Sequence, residues 1–334
     1  MEKKKVLILA TGGTIASVST DNGFVPGISG DELVEQIPML KEIAEIKARQ
    51  LMNIDSSDMR PSDWRTIARA VAHEADLYDG IVITHGTDTM CYTSSALSFM
   101  LSDLNIPVVL TGSQKPFVVA DSDAPRNVID AVKVATSDLV GVSIVFNGKI
   151  INGSRAFKMY SKNNDAYVSR NYPLLGTVDD DGVHITHRAT RLQTGQPLMT
   201  GICEDVILLK MTPGSSPSML DYVGTAGYRG VIIEGFGTGG ISNLNRGMMD
   251  GIRYLVDERN VPVVVISQCP YDGVNLAVYG VGDRALQAGV IPGNDMTTEA
   301  AVVKLMWILG QTNDMDKIRD MVLTNYCDEI SAVF

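Results

Sequence analysis

Four clusters of hydroxyl, carboxylate and glycine residues each follow a short apolar run. They are Thr11-Gly12-Gly13-Thr14-Ile15-Ala16-Ser17, Asp55-Ser56-Ser57-Asp58-Met59, His85-Gly86-Thr87-Asp88-Thr89-Met90 and Thr111-Gly112-Ser113-Gln114. A threonine hydroxyl is a weak nucleophile and needs a base or relay to activate it. Thr14, Thr87 and Asp88 offer a nucleophile, a relay hydroxyl and a carboxylate, and Lys158 in Gly153-Ser154-Arg155-Ala156-Phe157-Lys158 offers the cation. A threonine-based variant of triad chemistry fits that set. Taken singly, each cluster has an ordinary reading: Gly12-Gly13 turns the chain, Asp88 caps a helix, and Lys158 is a solvated surface lysine. Four clusters at successive strand ends are harder to dismiss, because open α/β sheets bind ligands beyond the carboxyl ends of their strands.

The elements that must position them alternate between β-rich runs and helical patterns, the signature of βαβ units and a parallel sheet. Strands are expected at Lys5–Ala10, Glu45–Met52, Gly80–Thr84, Val108–Thr111 and Val142–Phe146, and later at Val206–Leu209, Val231–Glu234 and Val263–Ser267. Trp64-Ile67-Ala68-Val71-Ala72-Ala75 and Tyr92-Ala96-Phe99-Met100 recur at helical spacing. Further helices are expected at Asn127–Thr136, Gly247–Glu258, Gly282–Ala288 and Thr298–Leu309. The polar stretch Arg188–Glu204, with its Gly, Pro and Thr, marks the join. The expected organisation is a larger, flavodoxin-like parallel-sheet domain over residues 1–190, a linker over 191–204 and a smaller α/β domain over 205–334.

Composition narrows the function. With 334 residues, 45% hydrophobic and 20% charged, the chain is ordinary globular protein able to bury a core without staples. Its 39 acidic against 28 basic residues give a net charge of −11, which argues against nucleic acid as a partner. Cys91, Cys203, Cys269 and Cys327 are widely separated, with no C-x-x-C, as expected of free thiols in a reducing compartment. The apolar run after Lys3-Lys4-Lys5 is too short for a signal peptide, and no run approaches a membrane span. A cytoplasmic protein without membrane partner is the expectation. His184 and His187 would face opposite sides of a strand, so no metal site is expected. Gly235-Phe236-Gly237-Thr238-Gly239-Gly240 fits G-x-G-x-x-G, but the segment after it reads as loop, not as the helix a dinucleotide site needs.

Ala10–Ser17 (ATGGTIAS) and Thr84–Met90 (THGTDTM) resemble the two signature motifs of the bacterial-type L-asparaginases, and that pairing is highly specific. The likeness extends through Asp55–Met59, Thr111–Ser113, Asp121–Asn127 (DSDAPRN), Gly153–Lys158 and Asp295–Thr298 (DMTT), with features of the cytoplasmic type I branch. The resemblance implies a two-domain α/β homodimer or homotetramer that hydrolyses L-asparagine to L-aspartate and ammonia without a cofactor. By position, it implies Thr14 as nucleophile on a lid, Thr87 as the second threonine, and Asp88 and Lys158 holding Thr87. Asp55, Ser56, Thr87 and Asp88 would bind substrate, and backbone N–H groups near Thr87 and Gly13 would stabilise the oxyanion. Where many relatives carry a lid tyrosine this chain has Phe24, and an interface asparagine common after the late glycines is replaced by Ile241. The missing hydroxyl leaves apolar closure to Phe24, with Tyr271 and Tyr279 as candidate relays. Competing readings are a glutaminase-asparaginase, the amidase subunit of a tRNA-dependent amidotransferase, a non-enzymatic amino-acid sensor and a nicotinamide enzyme. The amidotransferase subunit usually has an extra N-terminal domain, whereas ATGGTIAS here begins at residue 10.

Overall fold

The fold is that of a computed structural model, which describes residues 2–331 apart from 21–22, 27–28, 197, 243–246 and 279; at 16–20, 23–26 and 281 the backbone alone is described. The chain divides into two compact units, Met1–Met199 and Thr200–Phe334.

In the first unit the strands are β1 (Lys5–Gly12), β2 (Ser17–Thr20), β3 (Gly23–Pro26), β4 (Glu45–Ile54), β5 (Gly80–Thr84), β6 (Pro107–Thr111) and β7 (Gly141–Phe146). They are followed by β8 (Lys149–Asn152), β9 (Ala156–Lys158), β10 (Tyr167–Ser169), β11 (Gly176–Val178) and β12 (Val183–Ile185). The helices are α1 (Gly30–Glu35), α2 (Leu40–Ile43), α3 (Pro61–Glu74), α4 (Met90–Met100) and α5 (Ala124–Ala135). An eight-stranded sheet runs β12-β11-β8-β7-β6-β5-β1-β4. Its β4, β1, β5, β6 and β7 are mutually parallel, and β8, β11 and β12 extend it antiparallel. Both faces are covered, as parallel sheets require. Val6, Ile8, Val82, Val109 and Val145 pack with α1, α2 and α5, and the alternating Leu7, Leu9, Ile81, Ile83, Val108 and Leu110 are buried as well.

The strand order decides where a ligand can sit. The chain goes from β1 outward to β4, then returns to the other side of β1 for β5 and continues to β6 and β7. The order therefore reverses between β1 and β5, and their carboxyl ends splay open a crevice. Thr14 follows β1 and Thr87 follows β5.

The second unit holds β13 (Val206–Lys210), β14 (Gly230–Gly235), β15 (Val263–Ser267) and β16 (Ile291–Pro292), paired in that order and all parallel. Its helices are α6 (Ser218–Ala226), α7 (Gly247–Arg253), α8 (Gly280–Gln287), α9 (Thr298–Leu309) and α10 (Met315–Leu323). The order has no reversal, so this sheet lacks the crevice of the first. Residues 235–240 close a tight turn, with Phe236 N donating to Gly240 O at 2.8 Å and Gly240 N to Phe236 O at 2.7 Å. No helix opens at its third glycine, since the described Ile241 and Ser242 that follow it lie in no helix.

Differences from the expected elements have local causes. The helix expected at Asn127 starts at Ala124, with Pro125 in its first turn where a missing N–H costs nothing. Gly247–Glu258 is one continuous segment, but its second half, Tyr254–Glu258, winds as a π-helix.

Candidate active site

Two glycines bring the crevice together. Gly13 has φ +83°, a left-handed backbone that favours glycine. A Cβ at Gly13 would lie 2.4 Å from Gly86 Cα, and a Cβ at Gly86 would lie 2.6 Å from Ser56 Oγ. The turns after β1, β4 and β5 therefore stack closely, which no larger residue at either glycine permits. Thr14 and Thr87, each one residue beyond its glycine, flank this contact. Thr14 is half-buried and Thr87 is 5% exposed. A fourth strand end joins at Gly112, where a Cβ would lie 2.3 Å from His85 O.

Lys158 enters from β9. Its Nζ donates to Thr87 Oγ1 at 2.7 Å and to Asp88 Oδ1 at 2.5 Å. The Lys158 side chain is 16% exposed and that of Asp88 67%, so the pair lies at the mouth of the crevice. Ser56 is held from the same loop: Asp88 N donates to Ser56 Oγ at 3.2 Å, and Thr89 Oγ1 to Ser56 O at 2.7 Å. Ser56, Thr87, Asp88 and Lys158 thus form one hydrogen-bonded group.

Asp55 caps its own turn through one carboxylate oxygen. Its Oδ1 accepts from Ser57 Oγ at 2.5 Å and Ser57 N at 2.8 Å, capping the short turn Ser56–Asp58. Those bonds, the side-chain one first, hold its carboxyl below the usual range. The oxyanion donors also need adjustment, because Gly13 N–H is donated to Ile54 O at 3.1 Å. The N–H groups of Thr14 and Thr87 take no acceptor among the described residues.

Three further residues build the site: Gln114 and His85, which belong to the clusters above but are assigned no role by the sequence, and Tyr167, which the sequence does not mark. Gln114 Oε1 accepts from Thr87 Oγ1 at 3.3 Å, while its Nε2 donates to Asn163 O at 3.0 Å and Tyr160 O at 3.3 Å. His85 is fully buried: Nδ1 lies 2.6 Å from Gly86 O and Nε2 lies 2.9 Å from Thr93 Oγ1 of α4. A carbonyl can only accept, so Nδ1 carries the proton and Nε2 accepts the threonine hydroxyl. Burial pushes its pKa from 6.5 down to about 4, the Gly86 hydrogen bond opposing, which keeps the ring neutral. The third is Tyr167, whose hydroxyl donates to Thr87 O at 2.5 Å.

The DSDAPRN segment supports the fourth strand end. Asp123 accepts from Gln114 N and Lys115 N, each at 3.0 Å, and Asn127 Nδ2 donates to Gly112 O at 2.9 Å. Of the lid and relay candidates, Phe24 lies on β3 but its side chain is outside the described residues, as is Tyr279. Tyr271 is exposed in the second unit, after β15. His184 pairs with Asp179 at 2.9 Å and His187 with the Tyr172 hydroxyl at 2.9 Å, so they serve separate partners. Among the described residues no group of three metal-ligating side chains occurs, and no helix is long and apolar enough to cross a membrane.

A buried hydroxyl polarised by a lysine, a second threonine following the glycine stacked against its loop, and a carboxylate at the mouth suit attack on an amide of a small charged substrate. Comparison with known proteins agrees. The chain is 44% identical over 330 residues to an L-asparaginase of Thermococcus kodakarensis, covering 98% of this chain and 99% of that one. The solved structure of the thermostable L-asparaginase from that organism superposes with a TM-score of 0.91 at 43% identity, over 98% of this chain and 99% of that one. A glutamyl-tRNA(Gln) amidotransferase subunit from Pyrococcus horikoshii is 40% identical, over 98% of this chain and 76% of that protein. A probable cytoplasmic L-asparaginase from Campylobacter jejuni gives a TM-score of 0.84 at 29% identity, over 97% of this chain and 100% of that one. Residues 5–191 match the model "Asparaginase, N-terminal" and residues 205–322 match "Glutaminase/Asparaginase C-terminal domain", so the chain belongs to the asparaginase family.

Proposed function

We propose that this protein is an L-asparaginase, hydrolysing L-asparagine to L-aspartate and ammonia through an ester on Thr14. The observation that carries the reading is the Lys158–Thr87 contact of 2.7 Å at the β1/β5 switch point. Thr14 Oγ1 attacks the side-chain amide carbon, and the oxyanion takes the N–H groups of Thr14 and Thr87. Lys158 donates into Thr87 Oγ1, which lowers the cost of negative charge there and makes this hydroxyl a ready proton donor. The proton released by Thr14 balances the one that converts the leaving amide nitrogen to ammonia, with Thr87 as the relay. Water then cleaves the β-aspartyl ester and returns a proton to Thr14.

Ser56 and Asp88 hold the substrate's α-carboxylate and α-amino groups, and Asp55 shapes that turn through its cap on Ser57. Phe24 contributes apolar closure, and Phe24→Leu is expected to lower kcat at least about tenfold, some 1.4 kcal/mol of barrier. Tyr271 and Tyr279 stand as relays from a neighbouring subunit of a homodimer or homotetramer, and Tyr→Phe changes there test them. No cofactor takes part, and the setting is cytoplasmic, supported by the four free thiols and by the likeness to the Campylobacter jejuni protein.

The test is ammonia release from asparagine and from glutamine, by wild type and by Thr14→Ala. Turnover of asparagine that Thr14→Ala abolishes supports the reading. No release from free asparagine, with release in the presence of a glutamyl-tRNA and partner subunit, would favour the amidotransferase instead. Binding of asparagine without ammonia release would leave a sensor.

A further inference from the structure

The geometry points to Tyr167 as a positioning residue that sets the height of Thr87 against Lys158, an inference resting on the function proposed above. In the two-stranded ladder of β9 and β10, Tyr167 stands directly opposite Lys158. Directly opposed side chains project from the same face of a strand pair. Both reach the same residue: Lys158 Nζ meets the Thr87 hydroxyl at 2.7 Å, and the Tyr167 hydroxyl meets the Thr87 carbonyl at 2.5 Å. One hairpin therefore grips Thr87 by its side chain and by its backbone.

The carbonyl that Tyr167 holds belongs to the Thr87–Asp88 peptide, whose N–H is donated to Ser56 Oγ at 3.2 Å. The peptide plane is thus fixed from both ends. Rotating it would swing the Thr87 hydroxyl away from Lys158 and carry Asp88 with it. Tyr167 suits the task because it is itself held fast. It is 1% exposed, and its ring packs edge-on against Phe146 of β7 with centroids 4.9 Å apart and planes at 61°. Burial raises its phenol well above the ordinary pKa, so it remains a donor across the working range. Phe146 anchors the hairpin to the main sheet, which places Lys158 and Thr87 in one frame. A displacement of even about an ångström at such a group is costly in rate, which is why a residue that touches no substrate can control kcat.

The experiment is a double-mutant cycle of Tyr167→Phe and Lys158→Met, with ammonia release from asparagine as the readout well below the melting temperature. Tyr167→Phe is expected to lower kcat at least about tenfold while KM changes less than about threefold, an effect on the transition state. In the Lys158→Met background the same change is expected to add less than about twofold, because the two residues act through one hydroxyl. Replacing Tyr167 with 4-aminophenylalanine, which keeps a donor on the same ring, is expected to restore most of kcat. Should Tyr167→Phe fail to fold, 4-fluorophenylalanine fills the ring position without a donor and gives the same comparison. A kcat within twofold of wild type, or losses that multiply in the double variant, would overturn the assignment. Failure of the proposed function is distinguishable, since it shows in the wild type and in Thr14→Ala before Tyr167 is touched.

Discussion

Lowering the pH from 7 to 5 is expected to cost the first unit about 2 kcal/mol of stability through His85 alone. The imidazole is wholly buried between Gly86 O and Thr93 Oγ1, and burial lowers its pKa from 6.5 to about 4. The unfolded chain therefore binds a proton near pH 6.5 that the folded chain refuses until about pH 4. Stability is constant above the unfolded value and falls as pH drops through the window between the two. The whole shift corresponds to about 3 kcal/mol, at about 1.4 kcal/mol per unit, with about 2 kcal/mol lost by pH 5. That upper part of the window precedes the titration of ordinary carboxylates. The assay is urea unfolding followed by tryptophan emission. Trp64 lies on α3 and Trp307 on α9, and the chain has two tryptophans, so Trp307→Phe leaves Trp64 to report the first unit. His85→Asn keeps a donor toward Gly86 O but does not titrate. It should be less stable at pH 7 and lose less between pH 7 and 5. Parallel stability curves for the two proteins would refute a neutral, buried His85.

Other perturbations follow from the same contacts. Lys158→Met should reduce kcat by about 10²- to 10⁴-fold with the fold retained, the range for losing a positioned proton-transfer partner; turnover within a few fold of wild type would remove Lys158 from the mechanism. Thr14→Ala and Thr87→Ala should each abolish most turnover, and the double variant should be little worse than either single one, because residues acting as a unit lose non-additively. Asn127→Ala strands the buried Gly112 carbonyl, to which Asn127 Nδ2 donates at 2.9 Å, and leaves the N–H of the exposed Asn147, which donates to Asn127 Oδ1 at 2.9 Å, open to water. At about 1–3 kcal/mol for the one stranded buried group, unfolding of the first unit should become easier by roughly 2 kcal/mol, read by the same Trp64 emission.

The strand ends were legible because their signals are local. Gly80–Thr84 and Val263–Ser267 are continuous apolar runs closed by polar residues, and the structure places those strands over the same residues. Gly12 and Gly13 mark a turn by residue type alone, and both have positive φ. The antiparallel extension β8, β11 and β12 and the β9–β10 hairpin left no such mark. Strands of three or four residues carry too little periodicity to see, and their pairing is decided by the sheet they join. Thr87, Asp88 and Lys158 could be named from residue type and motif. Tyr167 could not, since nothing in the residues between Lys158 and Tyr167 tells that a hairpin will turn the chain back onto Thr87. For Asp55 the resemblance implies a substrate ligand, and the structure adds that its side chain caps the turn that presents Ser56.

The ester on Thr14 is the most direct observable. Wild type and Lys158→Met should be acid-quenched during turnover of asparagine, digested, and analysed by mass spectrometry for an aspartyl group on the peptide containing Thr14. Nucleophilic attack by Thr14 predicts that adduct on Thr14, its absence from Thr14→Ala, and its accumulation in Lys158→Met if ester hydrolysis is the slowed step. An aspartyl adduct on Thr87, or full turnover by Thr14→Ala with no adduct anywhere, would contradict it.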